Sequence, residues 1–131
     1  MKLKLKEWME KVMRLADSDL LYSGSLTRGG SVQLSKSITN YKKIIIVAKD
    51  SDGVSKTFEH IHNNATSFGT YCDFTRLVSA WYVKSAYLLF DNQTLRMAYC
   101  GQAYFSSQAQ GNYVTIEKVY GCKHIVGGGT A

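Results

Sequence analysis

A chain of 131 residues is long enough to bury one hydrophobic core without staples and leaves little room for a second independent domain. Its 45% hydrophobic and 20% charged residues exclude an intrinsically disordered polymer, and no run approaches the ~18 apolar residues of a membrane-spanning helix. The formal net charge of +6 invites a nucleic-acid reading, but beyond the first segment the cations Lys36, Lys42, Lys49, Arg76 and Arg96 are spread singly, as on a solvated surface. Neither a nucleic-acid partner nor membrane insertion is expected.

Residues 1–19 are expected to form an N-terminal helix that serves oligomerisation or attachment. Met1, Leu5, Trp8, Val12 and Leu15 recur at heptad spacing and fall on one stripe, flanked by Lys2, Lys4, Lys6, Lys11 and Arg14. A helix this short needs a partner, which could be its own β domain, another copy of itself or a membrane surface. Asp17-Ser18-Asp19, residues that favour caps and turns, would end it. Charge interrupts the segment too often for a signal peptide, so synthesis in a cytoplasm is expected.

From Leu20 onward the pattern changes to alternation and short apolar runs, which predicts a domain of antiparallel strands over residues 20–126. Strands are expected at Leu20–Leu26, Ser31–Leu34, Tyr41–Lys49, Val54–Ile61, Leu77–Phe90, Thr94–Tyr104 and Tyr113–Tyr120. Arg28-Gly29-Gly30, Asp50-Ser51-Asp52-Gly53 and Asp91-Asn92-Gln93 read as turns. Residues 62–75 read as the longest irregular stretch, and 127–131 as a flexible glycine-rich tail. Frequent strands with no intervening helix predict a mainly β fold, an antiparallel, jelly-roll-like β-sandwich behind a short helix. The sequence has no Pro to block edge pairing, a task oligomerisation could perform instead.

Three cysteines, Cys72, Cys100 and Cys122, form no C-x-x-C pair and read as reduced, partly buried thiols. Asp50-Ser51-Asp52-Gly53 resembles the start of a calcium loop, but the twelfth position, where a bidentate Glu is required, is Ile61. His60 and His62 would project from one face of a strand and are the candidate metal ligands, although two ligands alone do not make a site. Trp81, Tyr82, Tyr104, Phe105, Asn112 and Tyr113 are candidate ligand-binding residues, able to form aromatic platforms for a sugar or to fill a core. Outside the helix and the turns, the carboxylates are Glu59, Asp73 and Glu117, which a carbohydrate-active enzyme would need as a facing pair. No nucleophile elbow, P-loop or H-E-x-x-H motif is present. No catalytic residue and no cofactor is expected, and a binding or assembly module is the better reading than an enzyme.

The stretch Leu21-Tyr22-Ser23-Gly24-Ser25-Leu26, followed by Gly30-Ser31-Val32-Gln33-Leu34-Ser35-Lys36-Ser37-Ile38-Thr39-Asn40-Tyr41 and Ile44-Ile45-Ile46-Val47, resembles small structural proteins of tailed phages and prophages. Val114-Thr115-Ile116-Glu117-Lys118-Val119-Tyr120-Gly121-Cys122-Lys123 is similar to their terminal strand. The resemblance implies a tail-fibre, tail-tip or head-fibre component of the virion, made in a bacterial host cytoplasm. It also implies a homotrimer that contacts other virion structural proteins and meets a host-surface ligand such as a glycan through its β domain. A virion assembly or decoration piece that touches no receptor is the alternative. Ser35 and Asn40 fit a turn, so no binding residue is carried over from these motifs.

Overall fold

The computed structural model describes residues 18–77, 81–104 and 107–125, and the expected helical stripe and the glycine-rich tail lie outside them. The described chain is mainly β, arranged as two antiparallel sheets. The first sheet has the order β1-β9-β3-β4, built from Ser18–Leu26, Val114–Cys122, Lys43–Asp50 and Ser55–Ile61. The second has the order β2-β7-β6-β5, from Ser31–Gln33, Thr94–Tyr104, Trp81–Asp91 and Ser67–Leu77, with β8 (Ser107–Gln110) also pairing β7. A single 3-10 turn at Ile38–Asn40, capped by the Ser37 side chain, stands between β2 and β3.

Buried side chains from both sheets form one core, in which the fully buried residues include Ile44, Ile46, Phe74, Leu88, Phe90, Leu95, Met97 and Ile116. All three cysteines are free and buried; burial pushes the Cys72 thiol up to about 12, which removes it from thiolate chemistry at neutral pH. The run Ile44–Val47 supplies both faces of a strand whose neighbours β4 and β9 lie on either side of it.

The turns follow their residue chemistry. Asp50 Oδ1 accepts from the backbone N–H of Asp52 (3.0 Å) and Val54 (2.9 Å), and Gly53 adopts a φ of 87° to close the β3–β4 hairpin. Between β6 and β7 only Asn92 and Gln93 remain outside the strands, and Asn92 takes the left-handed conformation at φ 51°.

Three expectations are corrected. The first strand begins at Ser18, so Ser18 and Asp19 belong to it rather than to a helix end; their partners Cys122 and Gly121 on β9 supply the ladder that overrides their turn propensity. The stretch read as irregular contains the eleven-residue strand β5 at Ser67–Leu77. Its inward residues include Cys72 and Phe74, while Gly69, Tyr71 and Asp73 face solvent, an alternation masked by glycine, small and polar residues. A short strand, β8, was also not expected; its four residues are all exposed and give no apolar alternation.

The sheets' adjacent edges, β4 and β5, are closed by aromatic contacts. Phe58 meets Phe74 edge-on at 5.6 Å, and Lys56 Nζ lies over both rings and donates to the Asp73 carbonyl at 3.1 Å. His60 stacks on Phe68 at 3.9 Å, and Phe68 stacks on Phe90 at 4.5 Å.

Candidate functional site

Pairing register places three tyrosines side by side on the solvent face of the second sheet. Tyr71 of β5 lies opposite Tyr87 of β6, which lies opposite Tyr99 of β7. Strand residues opposite one another point to the same face, and the intervening neighbours Cys72, Ala86 and Cys100 are fully buried on the other. The Tyr71 and Tyr87 rings meet at 4.5 Å, and Tyr71 keeps 59% of its surface exposed.

Glycines let these rings lie flat. A side-chain carbon on Gly69 would collide with the Tyr87 hydroxyl, and one on Gly101 with the Tyr99 hydroxyl. The Tyr87 ring therefore reaches over bare backbone of the neighbouring strand β5, and the Tyr99 ring over bare backbone of its own strand β7. The Tyr99 partnership depends on an irregularity in β7: Leu88 pairs with Met97, whereas Tyr87 pairs with Tyr99, so Ala98 is the extra residue of a bulge.

Beyond Gly69 this face hollows into an open cleft of about 540 Å³. Two rows of side chains cross it. Ser31, Arg96, Leu89 and Gly69 form one, and Thr94, Asp91 and Ser67 form the next. Asp91 Oδ1 accepts from Asn92 Nδ2 at 3.0 Å, whereas Arg96 is exposed and its side chain has no hydrogen-bond or ion-pair partner among the described residues. Hydroxyls, a carboxylate and a cation beside a tyrosine row suit a ligand rich in hydroxyl groups.

The aromatic residues singled out in the sequence lie toward the other end of the sheet. Tyr82 and Tyr104 are cross-strand partners on β6 and β7, and Trp81 opens β6 opposite Leu77. The Tyr82 hydroxyl donates to Asp52 Oδ2 at 3.1 Å, which commits it to the β3–β4 turn. Tyr113 packs against the core, Asn112 lies in the exposed turn before β9, and Phe105 lies outside the described residues. Trp81, Tyr82, Tyr104, Asn112 and Tyr113 therefore share an end of the molecule, with Tyr82 and Tyr113 occupied by structural contacts.

His60 and His62 do lie near one another, with ring centroids 6.1 Å apart. The face of His60 is covered by Phe68, and among the described residues no group of three or more His, Cys, Asp or Glu side chains is placed to hold a metal. His62 is buried, and neither ring nitrogen finds a hydrogen-bond partner among the described residues. Burial holds the His62 imidazole below the usual histidine range; the nearby backbone of Ala65 and Ile38 acts in the opposite sense without closing a hydrogen bond. His60 is lowered by burial and by His62.

A group whose folded pKa is depressed contributes stability that is present above its unfolded value and lost as pH falls through the window beneath it. Urea midpoints are therefore expected to fall as pH drops below about 6.5, the ordinary histidine value. His62→Leu should flatten that dependence, and an unchanged slope in this variant would remove His62 as its cause.

The three carboxylates considered for catalysis do not form one constellation. Glu59 and Glu117 are on the first sheet, 3.5 Å from Lys43 Nζ and 3.6 Å from Lys49 Nζ. Asp73 is on the outer face of the second sheet, where it accepts from Ser85 Oγ at 2.6 Å. No protein-family model matches the chain, and a search of curated proteins finds no match.

Proposed function

We propose that this protein is a non-enzymatic recognition component of a tailed-phage or prophage virion, a homotrimer that binds a host-surface glycan. The virion setting and the trimer rest on the sequence resemblance and on the Met1, Leu5, Trp8, Val12 and Leu15 stripe. The two sheets are read as a jelly-roll-like sandwich, supported by their shared core and by connections such as β1–β2, β4–β5 and β8–β9 that pass between sheets.

The observation that carries glycan recognition is the row of Tyr71, Tyr87 and Tyr99, open to solvent beside a polar cleft. Tyrosine offers a flat ring to the C–H face of a sugar and a hydroxyl to its rim. Tyr71→Ala is expected to weaken binding to a glycan array and to whole host cells about tenfold, equivalent to about 1.4 kcal/mol, without shifting the melting temperature. Undiminished binding in Tyr71→Ala would move recognition away from this face, and a stable monomer by light scattering at micromolar concentration would count against the trimer.

A receptor-free assembly role is favoured by a different surface. On the outer face of the first sheet Leu20, Tyr120 and Ile45 lie in register across β1, β9 and β3, and Leu20 and the neighbouring Ile61 are 49% and 50% exposed. An apolar row of this kind suits a protein partner. Glycan and whole-cell binding that survives deletion of residues 1–16 favours the recognition reading; incorporation into particles without any cell binding favours assembly.

A further inference from the structure

We infer that the cleft beside the tyrosine row takes an anionic substituent on a hydroxyl-rich chain, with Arg96 as the residue that reads the anion. This rests on the reading of the same face as a glycan surface and adds the charge of the ligand to it. Arg96 is the only cation of the cleft lining among the described residues, and it stands between Ser31 on β2 and Leu89 on β6 in one cross-strand row. Its guanidinium makes no bond to the described protein, so its five donors are free to engage a carboxylate or phosphate in the two-point geometry that a lysine cannot offer.

The remaining groups fix what the anion must be attached to. The Asp91 carboxylate belongs to the next row, with Thr94 and Ser67 on its two sides. A carboxylate in the lining disfavours an isolated dianion and favours hydroxyl donors, whereas Ser31, Ser67 and Thr94 both donate and accept. At about 540 Å³ the cleft is of small-ligand size, and its lining includes Gly69, over which the Tyr87 ring lies. A chain of sugars or polyols running along the tyrosines would thus bring one unit's acidic group to Arg96 and its hydroxyls to Asp91, Thr94 and Ser67. A uronate carboxylate and a phosphodiester both supply this chemistry.

The test uses the full chain and three soluble polymers at low ionic strength: polygalacturonate for the carboxylate, poly(glycerol phosphate) for the phosphodiester, and dextran as the neutral comparator. One of the acidic polymers is expected to bind at least tenfold tighter than dextran, which also identifies the source of the anion. Arg96→Gln should remove that tenfold preference, and Arg96→Lys should restore only part of it. Lys118→Gln, an exposed cation on the first sheet, controls for the +6 net charge.

A loss with Lys118→Gln equal to that with Arg96→Gln would reduce the effect to general electrostatics and overturn the inference. Dextran binding that needs Tyr71 but shows no acidic preference would overturn the anion site while leaving the glycan face standing. Failure of all three polymers to bind would overturn both.

Discussion

Gly121→Ala is expected to destabilise the protein by about 3 kcal/mol, at the upper end of overpacking effects, and Gly121→Val by enough to prevent folding in a domain of ordinary marginal stability. A side-chain carbon at this position would lie 2.5 Å from Tyr41 Cγ and 2.6 and 2.7 Å from its two Cδ atoms. These are the stem of a fully buried ring, not the end of a flexible chain, and the ring is tethered at its far side, where its hydroxyl donates to Asp19 Oδ2 at 2.7 Å. Gly121 itself is paired to Asp19 on one side and Ile44 on the other, so neither backbone nor ring can yield without breaking a ladder. The Tyr41 hydroxyl holds the Asp19 carboxyl below the usual carboxylate range, which adds stability at neutral pH that is lost on acidification through that range. Urea unfolding should show a lowered midpoint with unchanged slope. Adding Tyr41→Ala to Gly121→Ala should give much less than the sum of the two single effects, because both act on one contact. Additive losses would show that the ring and the glycine are not clamped together.

Asn40-Tyr41 and Tyr120-Gly121 are far apart in the sequence, and the fold brings Tyr41 and Gly121 face to face as a core lock.

Strands whose apolar residues alternate or run together were legible from sequence: β1, β3, β4, β7 and β9 fall within a few residues of their expected spans. β5 was not, because Gly69, Asp73 and the Asn63-Asn64 pair before it are loop residues by propensity, and its strand character comes from eleven backbone partners on β6. Asn63 and Asn64 do form a turn, with φ of 53° and 61°, but it is short. The boundary at Ser18 was missed for the same reason, since only pairing to β9 marks those polar residues as strand.

The candidate site was less legible than the fold. Tyr71, Tyr87 and Tyr99 are far apart in sequence and become a row only through register. The Asp91-Asn92-Gln93 turn does fix a register, with Asp91 opposite Thr94. Carried down the hairpin without interruption, that register would set Ala98 opposite Tyr87. The bulge moves Tyr99 into place, and nothing in the local sequence announces it. The glycines were the available signal: Gly69 and Gly101 sit within strands, where a missing side chain marks a close approach of something else.

A polar clasp at the other end of the molecule supplies the second large effect. Lys84, on β6 of the second sheet, is buried, and its ammonium donates to Asp52 Oδ2 and Ser51 Oγ, each at 2.7 Å, in the β3–β4 turn of the first sheet. The two partners are unequal: the lysine side chain is 4% exposed and the aspartate 41%. Asp52→Ala therefore strands an ammonium that solvent reaches poorly, and is expected to lower stability by about 3 kcal/mol. Lys84→Met leaves an aspartate that can hydrate and still accepts from the Tyr82 hydroxyl, and it retains the apolar stem, so its loss should be about 1 kcal/mol or less. In the double variant no buried charge remains without a partner, and stability should return to near the level of Lys84→Met alone. The order of the three urea midpoints is the measurement. A loss from Lys84→Met as large as that from Asp52→Ala would mean that the ion pair's attraction, and not the desolvation of the lysine, governs how firmly this turn joins the two sheets.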